Sequence, residues 1–457
     1  MPATSKPFIF ILASFIIVLL LSFLGNTLTV FGIQLKNINI ISEILPKQAD
    51  STLKELSVVK VSQGRVIPDY RQSDEIIGYD SSGTLKAFVK ALHELSSGKR
   101  KKVRIAYFGD SMIEGDLISQ DLRKLFQDYF GGNGVGFVPI TSVVAGFRQT
   151  IIHSFSENWN DQHFLNTASS KSSELFISGH TFKPGSVSSV YYSAVNQKHL
   201  GSFNECYLLY GKNDSLNNVE VNDSTIFLDG SGVFNRQLVA SGVKTVKARF
   251  TSETEHLYGF SIESERGVII DNFAFRGISG MELQRLSDAM LGSINEQQPY
   301  DLIIIQFGPN LLFKPELVDF KWYEKPLKNV IMKFRQQMPD ASILIVGSAD
   351  KGCRYDGEYR TQKGVLPLIE IQNRVASESG VDFWSLYNAM GGKNSMVKWV
   401  NNRPPLANLD YTHLTHKGAS KIAELFFNQL MYVYDPDAAS RSQIQPIARY
   451  VAASRGL

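Results

Sequence analysis

Val103-Arg104-Ile105-Ala106-Tyr107-Phe108-Gly109-Asp110-Ser111 is the stretch whose reading settles the fold class. Its first six residues are mostly β-branched, aromatic or apolar, the composition of a buried strand. Beyond it, from Glu114 to Phe130, the apolar positions Leu117, Leu122, Leu125, Phe126 and Tyr129 recur at helical spacing and predict a helix. A serine held at a strand-to-helix turn stands at the carboxyl end of a strand, where open α/β sheets bind their ligands. The start of the predicted helix would aim free backbone N–H groups at an anion there. One segment therefore supplies a nucleophile and half of an oxyanion site.

Downstream of this unit the texture changes. Between about Gly146 and Asn272, short alternating runs such as Ser189–Ala194, Glu205–Tyr210, Thr225–Leu228, Thr245–Phe250 and Leu257–Ile262 are separated by Gly, Asn, Asp and Ser clusters. That spacing predicts an antiparallel sandwich. Strand alternating with helix then resumes. Strands are expected at 267–275, 301–307, 342–347 and 381–384, with helices at about 322–337, 365–379 and 416–432. This alternation predicts a doubly wound parallel sheet of the α/β class, with the β-rich segment inserted after its first strand–helix unit. The expected division is 7–35 as a membrane anchor, 36–100 as a linker with a packing helix over Ser82–Ser97, 101–145 and 273–434 as the two parts of the α/β domain, 146–272 as the inserted sandwich, and 435–457 as a tail.

The 457 residues carry a formal charge of +3, so nothing in the charge balance calls for nucleic acid. The one dense basic cluster, Lys99-Arg100-Lys101-Lys102 with Arg104, reads as a solvated edge. Two cysteines, Cys206 and Cys353, suggest neither a disulfide framework nor a metal site. Phe8 to Leu24 is an unbroken run of apolar or small residues, and Leu28 to Leu35 extends it. It is long enough to cross a bilayer and no Ala-x-Ala cleavage site follows, which favours an uncleaved signal anchor with the bulk of the chain outside the cytoplasm, the alternative being a signal cleaved near Gly25 that leaves a secreted form. A bacterial inner membrane with the catalytic domain in the periplasm is the expected setting.

A serine needs a base, and the base needs an orienting group. Asp410-Tyr411-Thr412-His413 supplies both on one loop near the far end of the chain. Asp410 can hold the Nδ1–H of His413 and leave Nε2 to take the Ser111 proton. For the oxyanion, Asn310 in Gly308-Pro309-Asn310 can offer its side-chain amide, and Gly280 can present its N–H without hindrance from a side chain.

Gly-Asp-Ser, a glycine after the second core strand, Gly-x-Asn after the third and Asp-x-x-His near the end, in that order, resemble the SGNH (GDSL-type) hydrolase family over roughly Val103 to Gln429. The resemblance implies a flavodoxin-like α/β/α core and metal-independent action on acyl esters, often of carbohydrates. By it Ser111, Gly280, Asn310 and His413 take the family's four roles, with Asp410 completing the triad. Met112 stands where the motif often has leucine. A sandwich in this position is similar to the carbohydrate-binding-like module of bacterial peptidoglycan O-acetylesterases. The implied substrate is an O-acetylated glycan, with no cofactor.

Other residues weigh less. Trp159, flanked by Asn158 and Asn160 in an expected polar loop, is the candidate for stacking on a sugar. His416 opens the last helix and has the weaker claim as base. His153, His163, His180, His199 and His256 lack ligand spacing and read as structural or exposed. Asp116 is accounted for by the helix N-terminus. Two alternatives stay open: an O-acetyltransferase using the same acyl-enzyme beside a membrane acyltransferase partner, and a non-catalytic glycan-binding envelope protein.

Overall fold

The structure, a computed structural model, describes residues 29–30, 33–34 and 85–435, apart from 167–174, 214–216, 229, 252–253 and 255. The chain divides into two units, Met1–Val66 and Ile67–Leu457. In the first, Thr29–Val30 pairs antiparallel with Ile33–Gln34. The apolar run Phe8–Leu24, most of the linker and the tail beyond Asp435 lie outside the described residues. Among the described residues no helix is long and apolar enough to cross a membrane.

In the second unit five strands form one parallel sheet: β1 (Lys102–Gly109), β2 (Gly267–Ala274), β3 (Leu302–Gln306), β4 (Ser342–Gly347) and β5 (Asp382–Ser385). Their order is β2-β1-β3-β4-β5, with Ile105 opposite both Ile270 and Leu302. Almost every residue of these strands is buried, because both faces of the sheet are covered. Alternate side chains go to opposite sides. Ala106, Phe108, Ile303, Ile305, Ile343 and Ile345 pack with helices α3 (Asp288–Gln297), α4 (Lys321–Gln337) and α5 (Val365–Ser379). Val103, Ile105, Tyr107, Leu302, Ile304 and Leu344 pack with α1 (Lys86–Ser96), α2 (Ser119–Phe130), α7 (Ser395–Asn401) and α8 (His416–Tyr434), and α6 (Leu386–Met390) adds Leu386 and Met390 to that side. This is the three-layered α/β architecture expected.

The expected start of the first helix after β1 is corrected. Helix α2 begins at Ser119 rather than Glu114. Residues 114–116 form a separate 3-10 turn, and Gly115, Asp116 and Ile118 all have positive φ. Leu117 keeps its buried place, which is why periodicity alone could not find the break.

Between β1–α2 and β2 the chain forms two antiparallel sheets. One has the order 224–227, 218–221, 245–250, 188–193, 152–155. The other runs 235–243, 203–210, 257–263, 180–184, 159–163, and the strand Gly136–Pro139 also pairs with 257–263. Val190, Tyr192, Val246 and Phe250 of the first share one hydrophobic core with Leu208, Tyr210, Phe260 and Ile262 of the second. Where these sheets meet the parallel one, Arg104 is only 5% exposed, so its reading as part of a solvated edge is corrected. It donates to Asp271 at 2.9 Å and pairs with Glu263. Tyr300 Oη–H and the Phe137 N–H both donate to the same Asp271, each at 2.8 Å.

Candidate active site

In the order β2-β1-β3 the connections run to opposite sides of β1, and the crevice between the carboxyl ends of β1 and β3 is where such sheets place a ligand. Both loops with predicted site residues end there. Gly109 closes β1, and Asp110 turns its fully buried carboxylate inward to accept the N–H of Met112 at 3.0 Å and of Gly308, from the β3 loop, at 3.4 Å. Burial pushes the Asp110 carboxyl up to about 6, against these N–H groups and His413, which pull it down. Ser111 between them stays partly exposed.

Ser111 Oγ lies 2.8 Å from His413 Nε2, although 302 residues separate them in sequence. His413 Nδ1 lies 2.6 Å from Asp410 Oδ2. The other carboxylate oxygen accepts the N–H groups of Thr412 at 2.9 Å and His413 at 3.0 Å, the local turn that aspartate side chains favour. Partial burial works against the charged form of Asp410, but these donors and the imidazole hold its carboxyl below the usual range. The loop ends where Thr415 caps α8, accepting the Gly418 N–H at 3.2 Å. His413 can thus accept a proton from Ser111 while Asp410 fixes its tautomer.

The remaining predicted residues converge from two further loops. Gly280 has φ +88° and an added Cβ would stand 2.5 Å from the Phe307 ring, so only glycine fits. Asn310 Nδ2 donates to the carbonyl of Ile278 at 2.8 Å, tying the β3 loop to the β2 loop. A primary amide has two N–H bonds, so one remains for a ligand. Trp159 is placed differently from its expectation. It lies in a strand, half-buried, with its indole N–H on the Ser189 carbonyl at 3.3 Å and its ring edge-on to Phe250. His416 stacks on Phe147 and contacts Gln120, with no part in the Ser111 chain.

Sequence reasoning missed several supports of this site. Lys351 Nζ donates to the carbonyls of Pro309 at 3.1 Å and Leu312 at 2.9 Å, clamping the loop that carries Asn310. Tyr411 has φ +55°. Its carbonyl accepts the Gly352 N–H at 2.8 Å and its ring stacks on Tyr359 at 3.6 Å. The hairpin formed by Gly352–Tyr355 and Glu358–Thr361 therefore grips the loop of the base. Asp116, read only as a helix-end charge, is fully buried and binds Arg123, Arg148 at 3.3 Å and Thr150 Oγ1 at 2.6 Å. No motif marks these residues, because their partners lie on other elements of the fold.

The fold and the site define a doubly wound α/β protein with a serine–histidine–aspartate chain at the β1/β3 crevice. Among solved structures, that of a peptidoglycan O-acetylesterase superposes with a TM-score of 0.65 and 23% identity, over 76% of this chain and 96% of that one. At that identity the likeness is one of fold, and it meets the resemblance drawn from the motifs. An acetyl xylan esterase (TM-score 0.29, 17% identity, 36% of this chain and 81% of that one) also matches. So does a family two carbohydrate esterase from Cellvibrio japonicus (TM-score 0.27, 10% identity, 62% and 99%). No protein-family model matches the chain, and neither does any curated protein sequence.

Proposed function

We propose that the protein is a serine esterase that removes O-acetyl groups from an envelope polysaccharide such as peptidoglycan. The observation that carries this reading is the Ser111–His413–Asp410 chain, with links of 2.8 and 2.6 Å, at the carboxyl rim of the sheet. Ser111 Oγ would attack the acetyl carbonyl while its proton passes to His413 Nε2. The oxyanion would sit among the Ser111 and Gly280 N–H groups and the Asn310 amide. As the C–O bond to the sugar breaks, His413 returns the proton to the departing oxygen. Water, deprotonated in turn by His413, then attacks the acetyl-serine. Acetate leaves and the proton goes back to Ser111.

The shared fold with a peptidoglycan O-acetylesterase supports the substrate class. We read the two antiparallel sheets as a carbohydrate-binding-like sandwich inserted in the hydrolase domain, holding the glycan near Ser111. The apolar run Phe8–Leu24 would anchor the protein in the inner membrane, with the enzyme in the periplasm. Acetate release from O-acetylated peptidoglycan, with acetylated xylan as comparison, tests the assignment. The wild type should release acetate, preferentially from peptidoglycan, and Ser111→Ala should not. Equal release by the two proteins would refute the role of Ser111. Measuring acetate against newly acetylated sugar in the presence of a glycan acceptor separates hydrolysis from transfer, and hydrolysis is expected to dominate.

A further inference from the structure

A cavity of about 240 Å³ between the parallel-sheet core and the two antiparallel sheets takes no part in the chemistry above. Its volume lies just under the roughly 300–1,000 Å³ of sites for drug-sized ligands, the scale of one sugar ring. One side is closed by Glu114, whose carboxylate accepts from Arg276 Nε at 2.8 Å and Nη2 at 2.6 Å. Glu114 is three residues past Ser111 and Arg276 four before Gly280. This side of the cavity thus belongs to the loops of the nucleophile and of an oxyanion donor.

The other side holds His163, His180 and Asp161. The His180 ring is flanked by Phe275, with centroids 4.7 Å apart and planes 25° apart, and by Phe182, at 5.6 Å and 2°. Its Nδ1 lies 2.9 and 3.1 Å from the two oxygens of Asp161. An acceptor on Nδ1 fixes the proton there in the neutral ring, leaving Nε2 as an acceptor. His163, with its ring centroid 5.5 Å away, is set the other way. Its Nδ1 accepts the Leu165 N–H at 3.2 Å, so Nε2 carries the proton. Burial lowers its pKa, which keeps the ring neutral. With His180 neutral, the two rings side by side present one acceptor and one donor. Among the described residues no group of histidine, cysteine, aspartate and glutamate is arranged to hold a metal ion.

We infer that this cavity is a glycan subsite, in which His180 accepts from and His163 donates to a substituent of a sugar ring that does both, an acetamido group or a hydroxyl. The inference rests on the esterase reading for its substrate and deepens it. His163 and His180 become specificity residues, and Asp161 a positioning residue for His180.

The test uses the full chain carrying Ser111→Ala, titrated calorimetrically with tri-N-acetylchitotriose and with xylotriose. His180→Phe and His163→Phe remove the polar edges at similar size. Each should weaken binding of tri-N-acetylchitotriose about fivefold to tenfold, the range for losing one hydrogen bond. His180→Asn, which keeps a polar edge, should recover part of the loss. Weakening confined to the chitotriose identifies the acetamido group, and equal weakening of both trimers identifies a hydroxyl. Unchanged binding in both phenylalanine variants, or no binding of either trimer by the parent, overturns the inference. Because titration needs no turnover, failure of the wild type to release acetate would count against the esterase reading alone.

Discussion

Three side chains illustrate how burial and position divide the work. Ser111 is exposed enough to meet a substrate, Asp410 stays ionised among its donors, and Asp110 is buried outright. Replacing Asn310 with alanine removes a proposed oxyanion donor and should lower kcat for acetate release by about 10²–10³-fold. A loss below about threefold in steady-state kinetics would mean that Asn310 faces no developing charge. Asp110 makes a prediction about stability. Its folded pKa, about 6, lies above the usual aspartate value. The folded state therefore binds the proton more tightly, and the contribution to stability is full below the unfolded pKa and lost as pH rises through about 6. The shift of about two units corresponds to about 3 kcal/mol. Asp110→Asn lacks this titration, so urea unfolding should show its stability relative to wild type rising by about that amount between pH 4 and pH 7. A pH-independent difference between the two proteins would refute it. Neither property is visible in Gly-Asp-Ser as a string, because burial belongs to the fold.

At the scale of elements, the hairpin at 352–361 is the support whose removal says most. Tyr411 is a non-glycine residue with positive φ, a conformation that costs on the order of 1–3 kcal/mol and needs surrounding structure to hold it. Tyr359, 41% exposed, supplies its stacking partner. Tyr359→Ala should reduce kcat about tenfold to a hundredfold through misplacement of Asp410 and His413, with KM held within twofold and Tyr359→Phe restoring the rate. A change in KM alone would assign the stack to substrate binding instead. The strands β3 and β4 were legible because buried parallel strands are near-continuous apolar runs, and Asp410 to His413 because three residues suffice to join carboxylate and imidazole. The true start of α2 was not legible. Leu117, Leu122 and Phe126 keep helical spacing across the turn, while the break is set by Asp116 reaching Arg123, Arg148 and Thr150. The strand position of Trp159 was hidden by its polar neighbours, whose side chains alternate outward.

For the whole molecule, two charge clusters tie the parallel-sheet part of the chain to the part that carries the antiparallel sheets. Arg104 meets Glu263 and Asp271 on one side, and Arg148 meets Asp116 close to the serine loop on the other. Arg104→Met would leave two buried carboxylates short of a partner and should cost about 3–5 kcal/mol in chemical denaturation. A cost under about 1 kcal/mol would show that the remaining donors suffice, Tyr300 and the Phe137 N–H on Asp271 and Arg236 on Glu263. The basic run at 99–104 could not reveal this, since a positive charge beside a strand is solvated unless another part of the chain arrives to cover it. The proposed chemistry depends on a covalent event at one oxygen. The most direct measurement is mass spectrometry of peptides from the protein quenched in acid within milliseconds of mixing with an acetyl ester. An acetyl group on the peptide containing Ser111, absent in Ser111→Ala and formed no more slowly than acetate is released, is the predicted result. Continued turnover with no adduct, or an adduct on another residue alone, would contradict it.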